Sequence, residues 1–500
     1  MVDAVTRWGA HAGTRAAPAR TNVAVIGAGS SGLAVLKALR ESGIAVECFE
    51  RGSDVGGLWQ YENDNGLSSA YASLHTNASR ARMEYPSFPM PVSYGDFPHH
   101  SDMAAYLRSY AEAFSLGGLI RFRASVTRLE PAPDGTWCVS LDGGSARRYT
   151  DVVIAVGHDW CPKLPHFTGD FSGESIHAHE YRAPEPFAGR RVLVIGAGPS
   201  AAEIAVEVAS CAARTCMSVR RGAHVIPRWI ADKPYDKRDV EPFNRMPWPL
   251  LNLVFRRAVT RELGPLPTPW PRPAHRLLEG VPIPSSDLLP AIRRRKVTVK
   301  PAIEQFVGDS VRFCDGTEEP FDQIIHATGY RISLPFLRRS LIAPNGRELP
   351  LFRRIVPPEL PGLFFAGFTD APGGLLPLVE AQGEWIAAVL SGRLRLPATT
   401  EMWAAIERAE RRTRERFPDE SPYSIRCDPH AYRRLLRSDL RQARRRGLSN
   451  TLALGHRFRF DPQLGLAGDH EFEVATRAGR TALRHTLDAT RTTACPSLGR

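Results

Sequence analysis

Two glycine-rich turns constrain the fold of this chain more than any other feature. The first, at residues 27–32, follows the apolar run 22–26 and opens a segment with helical apolar spacing. In such a strand–turn–helix unit, Gly27 allows the tight turn, Gly29 lets the backbone approach a pyrophosphate, and Gly32 lets the helix pack on the strand. Free N–H groups at the helix N-terminus favour phosphate. The sequence therefore predicts a dinucleotide site here.

An acidic residue stands where the ribose of such a dinucleotide is recognised. The next apolar strand, 45–50, ends in Glu50. Its carboxylate is expected to accept hydrogen bonds from the ribose hydroxyls and to repel a 2′-phosphate. The first site is thus expected to bind FAD or NAD and not NADP.

The second turn, at residues 196–201, repeats the pattern after the apolar run 191–195, with alanine in place of the third glycine. Alanine is permitted there, and Ser200 lies at the predicted helix N-terminus, within reach of a phosphate. The strand that follows runs into Arg220 and Arg221. Guanidinium groups suit the 2′-phosphate of NADP, although these arginines can also be read as simply solvated. Two dinucleotide sites together indicate redox chemistry.

Composition is that of a large soluble enzyme. The chain has 500 residues, of which 43% are hydrophobic, so two or three domains with substantial cores are expected. No apolar run approaches the roughly 18 residues of a membrane helix. Residues 1–20 carry scattered arginines and no hydrophobic core, which predicts a flexible extension and a cytoplasmic protein.

The net charge of +12 raises the question of a nucleic-acid or acidic partner. Basic residues concentrate near the C-terminus, most densely at 433–446, but acidic residues are interspersed along 401–416 and no basic run alternates with aromatics. We therefore expect no nucleic-acid binding, and keep a docking surface for an acidic partner as an open alternative. The eight cysteines and the histidines form no metal-like cluster, so no metal site is predicted.

Several motifs in order resemble those of the flavin-containing monooxygenases, a group of class B flavoprotein monooxygenases. Residues 171–181 match the FxGxxxHxxxY signature of that family, just before the second glycine turn. Further matching segments are the GGxW at 56–59, the Thr-Asn ending of 71–77, the DxxxxATGY at 322–330, the Phe-Ala-Gly at 365–367 and the segment 376–382. The resemblance covers about residues 21–395.

The resemblance implies FAD and NADPH as cofactors, with O2 and a small molecule as substrates. In this family NADPH reduces FAD, O2 forms a C4a-hydroperoxyflavin, and one oxygen passes to a soft nucleophile such as an amine nitrogen or a sulfur. By the same analogy Asn77 faces the flavin and nicotinamide and is the expected catalytic residue, against the alternative of a turn asparagine. His177 is expected to position the two domains and not to transfer protons. The expected cofactor-binding set is Gly27, Gly29, Ser31, Gly32, Glu50, Arg51, Gly57, Leu58, Trp59, Thr76, Asn77, Val126, Gly196, Gly198, Ser200, Ala201, Arg220, Arg221, Ala327, Thr328 and Gly329.

The predicted fold class is α/β, with two dinucleotide-binding Rossmann-like domains and the NADPH domain inserted into the FAD domain. Prolines are frequent between 226 and 290, which predicts loops there with any long helix interrupted. The expected organisation is a flexible extension at 1–20, an FAD-binding part at 21–165, an NADPH-binding domain at 166–326, a second FAD-binding part with a helical extension at 327–450, and a basic tail of unknown structure at 451–500.

Other reactions share this framework. Baeyer–Villiger enzymes use the same peroxyflavin on ketones, but their signature usually ends in Trp, whereas this one ends in Tyr181-Arg182, as in the heteroatom-oxidising and the plant auxin-forming groups. The latter oxidatively decarboxylate 2-oxo acids, so a carbonyl substrate stays an alternative. A different class of alternative is an uncoupled NADPH oxidase or a flavin-bearing interaction protein. The sequence does not predict the substrate or the oligomeric state.

Overall fold

The structure is a computed structural model that describes residues 22–236, 248–280, 282–344, 348–418 and 424–455. The chain divides into two units, residues 1–443 and 444–500. The sheets, cores and cavity described below belong to the first unit. The predicted extension at 1–20 lies outside the described residues, and of the predicted tail only 451–455, the end of a helix, are described.

A five-stranded parallel sheet forms around the first glycine turn. Its central strand, Asn22–Ile26, pairs with Ala45–Phe49 on one side and with Asp151–Ile154 on the other. These strands are rich in valine and isoleucine because a parallel sheet is covered on both faces. Ile120–Arg121 and Leu363–Phe365 complete the two edges, the latter arriving from much later in the chain.

The second glycine turn follows the carboxyl end of the central strand of another five-stranded parallel sheet. Arg191–Ile195 is central and pairs with Arg214–Ser218 and with Gln323–His326. Val297–Lys300 and Glu174–His177 are the outer strands. All of these strands lie along the chain between the last two strands of the first sheet. This arrangement is the predicted α/β fold with one Rossmann-like unit inserted into the other.

Short sheets and helices surround the two parallel sheets. Antiparallel three-stranded sheets are formed by Val126–Pro131, Trp137–Leu141 and Ala146–Tyr149, and by Ile303–Val307, Ser310–Phe313 and Glu318–Pro320. Trp229–Ile230 and Lys233–Pro234 form an antiparallel pair, whereas Val225–Ile226 and Ile283–Pro284 form a short parallel pair. The α-helices of the described residues are Ser30–Glu41, Arg80–Met83, His100–Ala113, Pro199–Val208, Trp248–Leu263, Leu288–Arg293, Leu376–Leu390, Thr399–Arg416 and Pro429–Gly455. Single 3₁₀ turns occur at Gly57–Trp59, Val92–Tyr94, Gly117–Leu119 and Glu185–Phe187.

The helix that follows the first turn, Ser30–Glu41, is buried along most of its length. It packs against Leu376–Leu390, and a Cβ on Gly383 of that helix would lie 2.7 Å from the carbonyl oxygen of Ala34. Only glycine permits this close helix crossing. The helix that arrives late in the chain therefore packs directly on the helix that follows the first glycine turn.

The proline-rich stretch 226–290 is less broken than its composition predicts. Helix Trp248–Leu263 has 16 residues, and it fits because residues 250–264 contain no proline. The expectation that prolines interrupt any long helix there was wrong: they bracket this one instead. None of the helices in the described ranges is both long and apolar enough to cross a membrane.

Candidate active site

A large cavity lies where the carboxyl ends of both parallel sheets meet. Its volume is about 2290 Å³, more than twice the roughly 300–1,000 Å³ of a typical small-molecule pocket. Both glycine turns line it, and in parallel α/β sheets ligands bind at this edge of the strands. The cavity thus has room for two dinucleotides and a small substrate.

The first glycine turn has the geometry that a pyrophosphate site requires. Gly27 has φ +101°, and a Cβ on Gly32 would lie 1.8 Å from the carbonyl oxygen of Gly27. Both positions therefore require glycine. A Cβ on Gly29 would come no nearer than 3.7 Å to Gly57, so this glycine leaves the backbone open to the cavity. Ser31 is buried in the next turn and also lines the cavity.

The Glu50 carboxylate is buried and fixed by the backbone. Its Oε2 accepts a hydrogen bond from the N–H of Ala28 at 2.7 Å, and its Oε1 accepts one from the N–H of Gly52 at 2.7 Å. Each oxygen keeps a lone pair for a further donor. Glu50 lines the cavity beside the glycine turn, so it is placed where ribose hydroxyls would be bound.

Other residues of the predicted FAD side line the same wall. Gly57, Leu58 and Trp59 form a 3₁₀ turn opposite Gly29 and line the cavity, and Trp59 also packs against the hydrophobic core beside the first sheet. Arg51 is exposed at the rim. Val126 is half-buried and lines the cavity.

The second glycine turn has more free space around its backbone than the first. Gly196 has φ +140°, and a Cβ there would lie 2.3 Å from the carbonyl oxygen of Ala327. Gly198 has nothing within 4 Å of such an atom, and Ser200 is exposed at the helix N-terminus. Ala201 is buried and packs beneath Gly196, outside the cavity lining. A phosphate can approach Gly198 and Ser200 freely.

Arg220 and Arg221 follow the strand next to this turn. Both are exposed and line the cavity. Strand Arg214–Ser218 is in register with Arg191–Ile195, which places the two arginines beside the carboxyl end of the strand that carries Gly196. This is the position from which a guanidinium reaches the adenosine ribose of a bound dinucleotide.

Asn77 lies in a turn between the two glycine sites. Its side chain is exposed to the cavity, and its carbonyl oxygen accepts a hydrogen bond from the Tyr235 hydroxyl at 3.0 Å. Thr76 is fully buried and does not line the cavity, because its hydroxyl donates to the carbonyl oxygen of Ala78 at 2.8 Å. Thr76 shapes the turn, and Asn77 is the member of the pair that lines the cavity.

Residues 327–329 close the cavity beside the second turn, and all three line it. His177 packs against them: its Nε2 bonds to the carbonyl oxygen of Gly329 at 3.1 Å, and its Nδ1 accepts the N–H of His179 at 3.0 Å. Burial lowers the pKa of His177. The neutral ring therefore carries its proton on Nε2 and ties two backbone segments together.

The aspartate of the DxxxxATGY segment does not line the cavity. Asp322 is at the opposite end of its strand, where it accepts hydrogen bonds from the backbone N–H and the guanidinium of Arg191, the former at 2.7 Å. The hydrogen bonds from Arg191 lower the pKa of the Asp322 carboxyl. Asp322 joins two strands and has no contact with the cavity.

Residues 20–437 match a protein family described as FMO-like, flavin-binding monooxygenase-like. The chain belongs to this family.

Characterised relatives of this flavin-binding monooxygenase extend over most of its length. It is 35% identical over 415 residues to dimethylaniline monooxygenase [N-oxide-forming] 2 of Rattus norvegicus, covering 78% of this chain and 77% of the relative. It is 32% identical to flavin-containing monooxygenase 5 of Mus musculus, covering 82% and 81%. Among solved structures, S-allyl-L-cysteine S-oxygenase from Allium sativum aligns with a TM-score of 0.64 and 25% identity over 93% of this chain and 99% of that one.

The protein is thus an FAD-dependent monooxygenase that uses NADPH. The residues present fit both groups. The turn at 27–32 leaves its backbone open beside Gly29, and the Glu50 carboxylate can accept further hydrogen bonds from the hydroxyl groups of a ribose. The turn at 196–201 leaves Gly198 open, with two guanidinium groups beside it.

One contact that the sequence does not predict joins the loop at residue 71 to the helix after the second glycine turn. Glu203, in the helix after the second turn, binds both the hydroxyl of Tyr71 and the guanidinium of Arg228. Burial raises the pKa of Glu203, while both partners act to lower it. Nothing in the neighbouring sequence indicates these partners, because the pairing depends on how the first and second lobes, which are the parts of the chain built around the first and second parallel sheets, pack together.

Proposed function

We propose that this enzyme uses NADPH and O2 to oxygenate the amine nitrogen or the sulfur of a small molecule. The observation that carries the proposal is the single cavity that joins both glycine turns, with Asn77 on the wall between them. Reduced FAD supplies the activation of oxygen, so the protein needs to bind, orient and exclude water.

In this proposal the first turn, with Gly27, Gly29, Gly32 and Glu50, holds FAD. Ser31, Arg51, Val126 and the segment 57–59 complete that side, whereas Thr76, which the sequence predicts to bind the cofactor, contributes only by shaping the turn that carries Asn77. The second turn, with Ser200, Arg220 and Arg221, holds NADPH, and 327–329 lie where the two cofactors approach each other. The domain organisation follows the same division: 21–165 and 327–450 around FAD, and 166–326 around NADPH. The cytoplasmic location expected from the sequence stays part of the proposal.

Asn77 is the residue proposed to act at the oxygenation site. Its amide both donates and accepts hydrogen bonds, its side chain faces the cavity, and its backbone is fixed by Tyr235. A neutral donor of this kind can hold a ligand oxygen in place without supplying a proton to it. His177 is instead proposed to position the second sheet.

Support for a heteroatom substrate comes from the relatives. The rat relative is named for N-oxide formation and the garlic enzyme for S-oxygenation. Transfer to a ketone or oxidative decarboxylation of a 2-oxo acid uses the same cofactors, and the cavity walls by themselves do not select among these substrates. An uncoupled oxidase is the remaining competitor.

The test is product analysis under ¹⁸O2 with NADPH, using N,N-dimethylaniline and methyl phenyl sulfide as probes. An N-oxide or sulfoxide carrying one labelled oxygen is expected. Cyclohexanone and a 2-oxo acid are tested in parallel: a lactone from the first, or a shortened acid and CO2 from the second, with no heteroatom oxide from the other probes, would replace the proposal by the carbonyl reactions. Stoichiometric H2O2 with every probe would identify an oxidase.

A further inference from the structure

A β-hairpin of the second lobe lies beside the turn that contains Asn77. Trp229–Ile230 and Lys233–Pro234 pair antiparallel around Ala231 and Asp232, which have φ of 49° and 56°. Two consecutive left-handed residues make a tight turn that matches the twist of the strands. The hairpin is anchored in its own lobe, because the N–H of Ala231 donates to Glu262 at 3.1 Å.

Two residues that follow the hairpin reach across to the first lobe. The Tyr235 hydroxyl donates to the carbonyl oxygen of Asn77 at 3.0 Å. The Asp236 Oδ2 accepts the N–H of Ser79 at 2.8 Å, and the Asp236 carbonyl oxygen accepts Nε of Arg82 at 3.0 Å. One dipeptide thus contacts the Asn77 carbonyl oxygen and two of the residues that follow it, Ser79 and Arg82.

We propose that Tyr235 and Asp236 are positioning residues for Asn77, which they hold with its amide facing the cavity. The inference rests on the proposed function, since it gives Asn77 its role in the reaction. Desolvation raises the pKa of Tyr235 above its ordinary value, so the hydroxyl keeps the proton that it donates. Both residues also line the cavity wall.

Loss of these hydrogen bonds is expected to lower the amount of oxygenated product formed per NADPH, which is the coupling of the reaction, and to leave the binding of FAD and NADPH unchanged. A turn fixed at two hydrogen bonds keeps the Asn77 amide in one orientation, whereas a released turn samples several. The reaction then loses the geometry that directs oxygen to the substrate, while the glycine turns that bind the cofactors are untouched. Loss of one neutral hydrogen bond changes a population ratio by roughly 2- to 10-fold, and loss of a charge-assisted one by roughly 10-fold or more.

The experiment compares Tyr235→Phe, Asp236→Ala and Asp236→Asn with the wild type. Hydrogen exchange of the peptide covering residues 76–82 reports whether the turn is held, without depending on turnover. Product and H2O2 formed per NADPH, with N,N-dimethylaniline as the probe, report coupling. Tyr149→Phe is the matched control, because it removes a hydroxyl that binds Glu47 away from the cavity.

We expect both Tyr235→Phe and Asp236→Ala to exchange faster at 76–82 and to lose coupling, roughly 2- to 10-fold for the neutral hydrogen bond of Tyr235 and roughly 10-fold or more for the charge-assisted one of Asp236. Bound FAD and the KM for NADPH should stay as in the wild type. Asp236→Asn keeps an acceptor oxygen for Ser79 and should restore most of the coupling, and Tyr149→Phe should behave as the wild type.

Two results would overturn the inference, and they differ from failure of the proposed function. Unchanged exchange at 76–82 in both Tyr235→Phe and Asp236→Ala would show that the turn is held otherwise. Faster exchange with unchanged coupling, in a protein where Asn77→Ala uncouples, would show that the hold does not matter to the reaction. If Asn77→Ala itself stays fully coupled, the Asn77 assignment fails and the positioning role fails with it.

Discussion

Alanine substitutions at Gly29 and at Gly198 test the two proposed cofactor sites independently, because each glycine belongs to only one of the two turns. Gly29 and Gly198 both have extended backbone, with φ, ψ of −73°, −173° and −97°, 177°, which alanine adopts without strain. A Cβ on Gly29 would lie 3.7 Å from Gly57, and one on Gly198 would meet nothing within 4 Å. Gly29→Ala and Gly198→Ala should therefore fold with stability within about 0.5–1 kcal/mol of the wild type.

The methyl group nevertheless lies where, in the proposed function, a pyrophosphate approaches the backbone. If it displaces one phosphate–N–H contact, the loss is about 1.5–3 kcal/mol, which corresponds to roughly 10- to 150-fold in affinity. We expect Gly29→Ala to weaken FAD binding by that factor, and Gly198→Ala to keep FAD while raising the KM for NADPH. Gly118→Ala, in open space outside the cavity, is the control.

FAD affinity is measured by titrating apoprotein and following flavin fluorescence, and NADPH binding by the concentration dependence of flavin reduction. Thermal unfolding of each variant checks that the fold is intact. The reasoning is refuted if folded Gly29→Ala binds FAD as the wild type does, or if Gly198→Ala loses FAD with an unchanged KM for NADPH.

Three further predictions test single features. Alanine at Arg220 or Arg221 should reduce the preference for NADPH over NADH roughly 10- to 100-fold; steady-state kinetics with both nucleotides measures it, and an unaltered ratio would reject the phosphate role. Gly32→Ala forces a Cβ to within 1.8 Å of the Gly27 carbonyl oxygen and should destabilise the fold by about 3 kcal/mol or more, seen as a lower Tm. Burial lowers the pKa of His326 from 6.5 to about 4, so the unfolded state takes up its proton first as the pH falls, and stability present above about pH 6.5 is lost towards pH 4, by about 2–3 kcal/mol. Urea unfolding at several pH values should show a smaller loss for His326→Gln; equal losses would contradict this origin.

The local chemistry of the chain predicts the parts of the site that depend on neighbouring residues. Strand, turn and helix around residues 27–32 and 196–201 follow from apolar runs and from where glycine is needed. Likewise Glu50 lies at the end of its strand, where the spacing predicts it. Such features are encoded within about 30 residues of sequence.

What the sequence does not predict depends on how the lobes pack. The contact of Tyr71 with Glu203 joins residues far apart in the chain, as does that of Tyr235 with Asn77. Nothing in the periodicity of either segment indicates its partner. A residue within a family motif also need not lie at the site. Asp322 belongs to the DxxxxATGY segment, yet it binds Arg191 away from the cavity.

The late edge strand Leu363–Phe365 has a consequence for synthesis. Its partner Asp151–Ile154 leaves the ribosome about 200 residues earlier, which at 5–20 residues per second is a delay of roughly 10–40 s. Every strand of the second sheet emerges within that interval. A nascent chain that stops before residue 363 should therefore already contain a folded second sheet but leave one edge of the first unpaired, a state prone to aggregation.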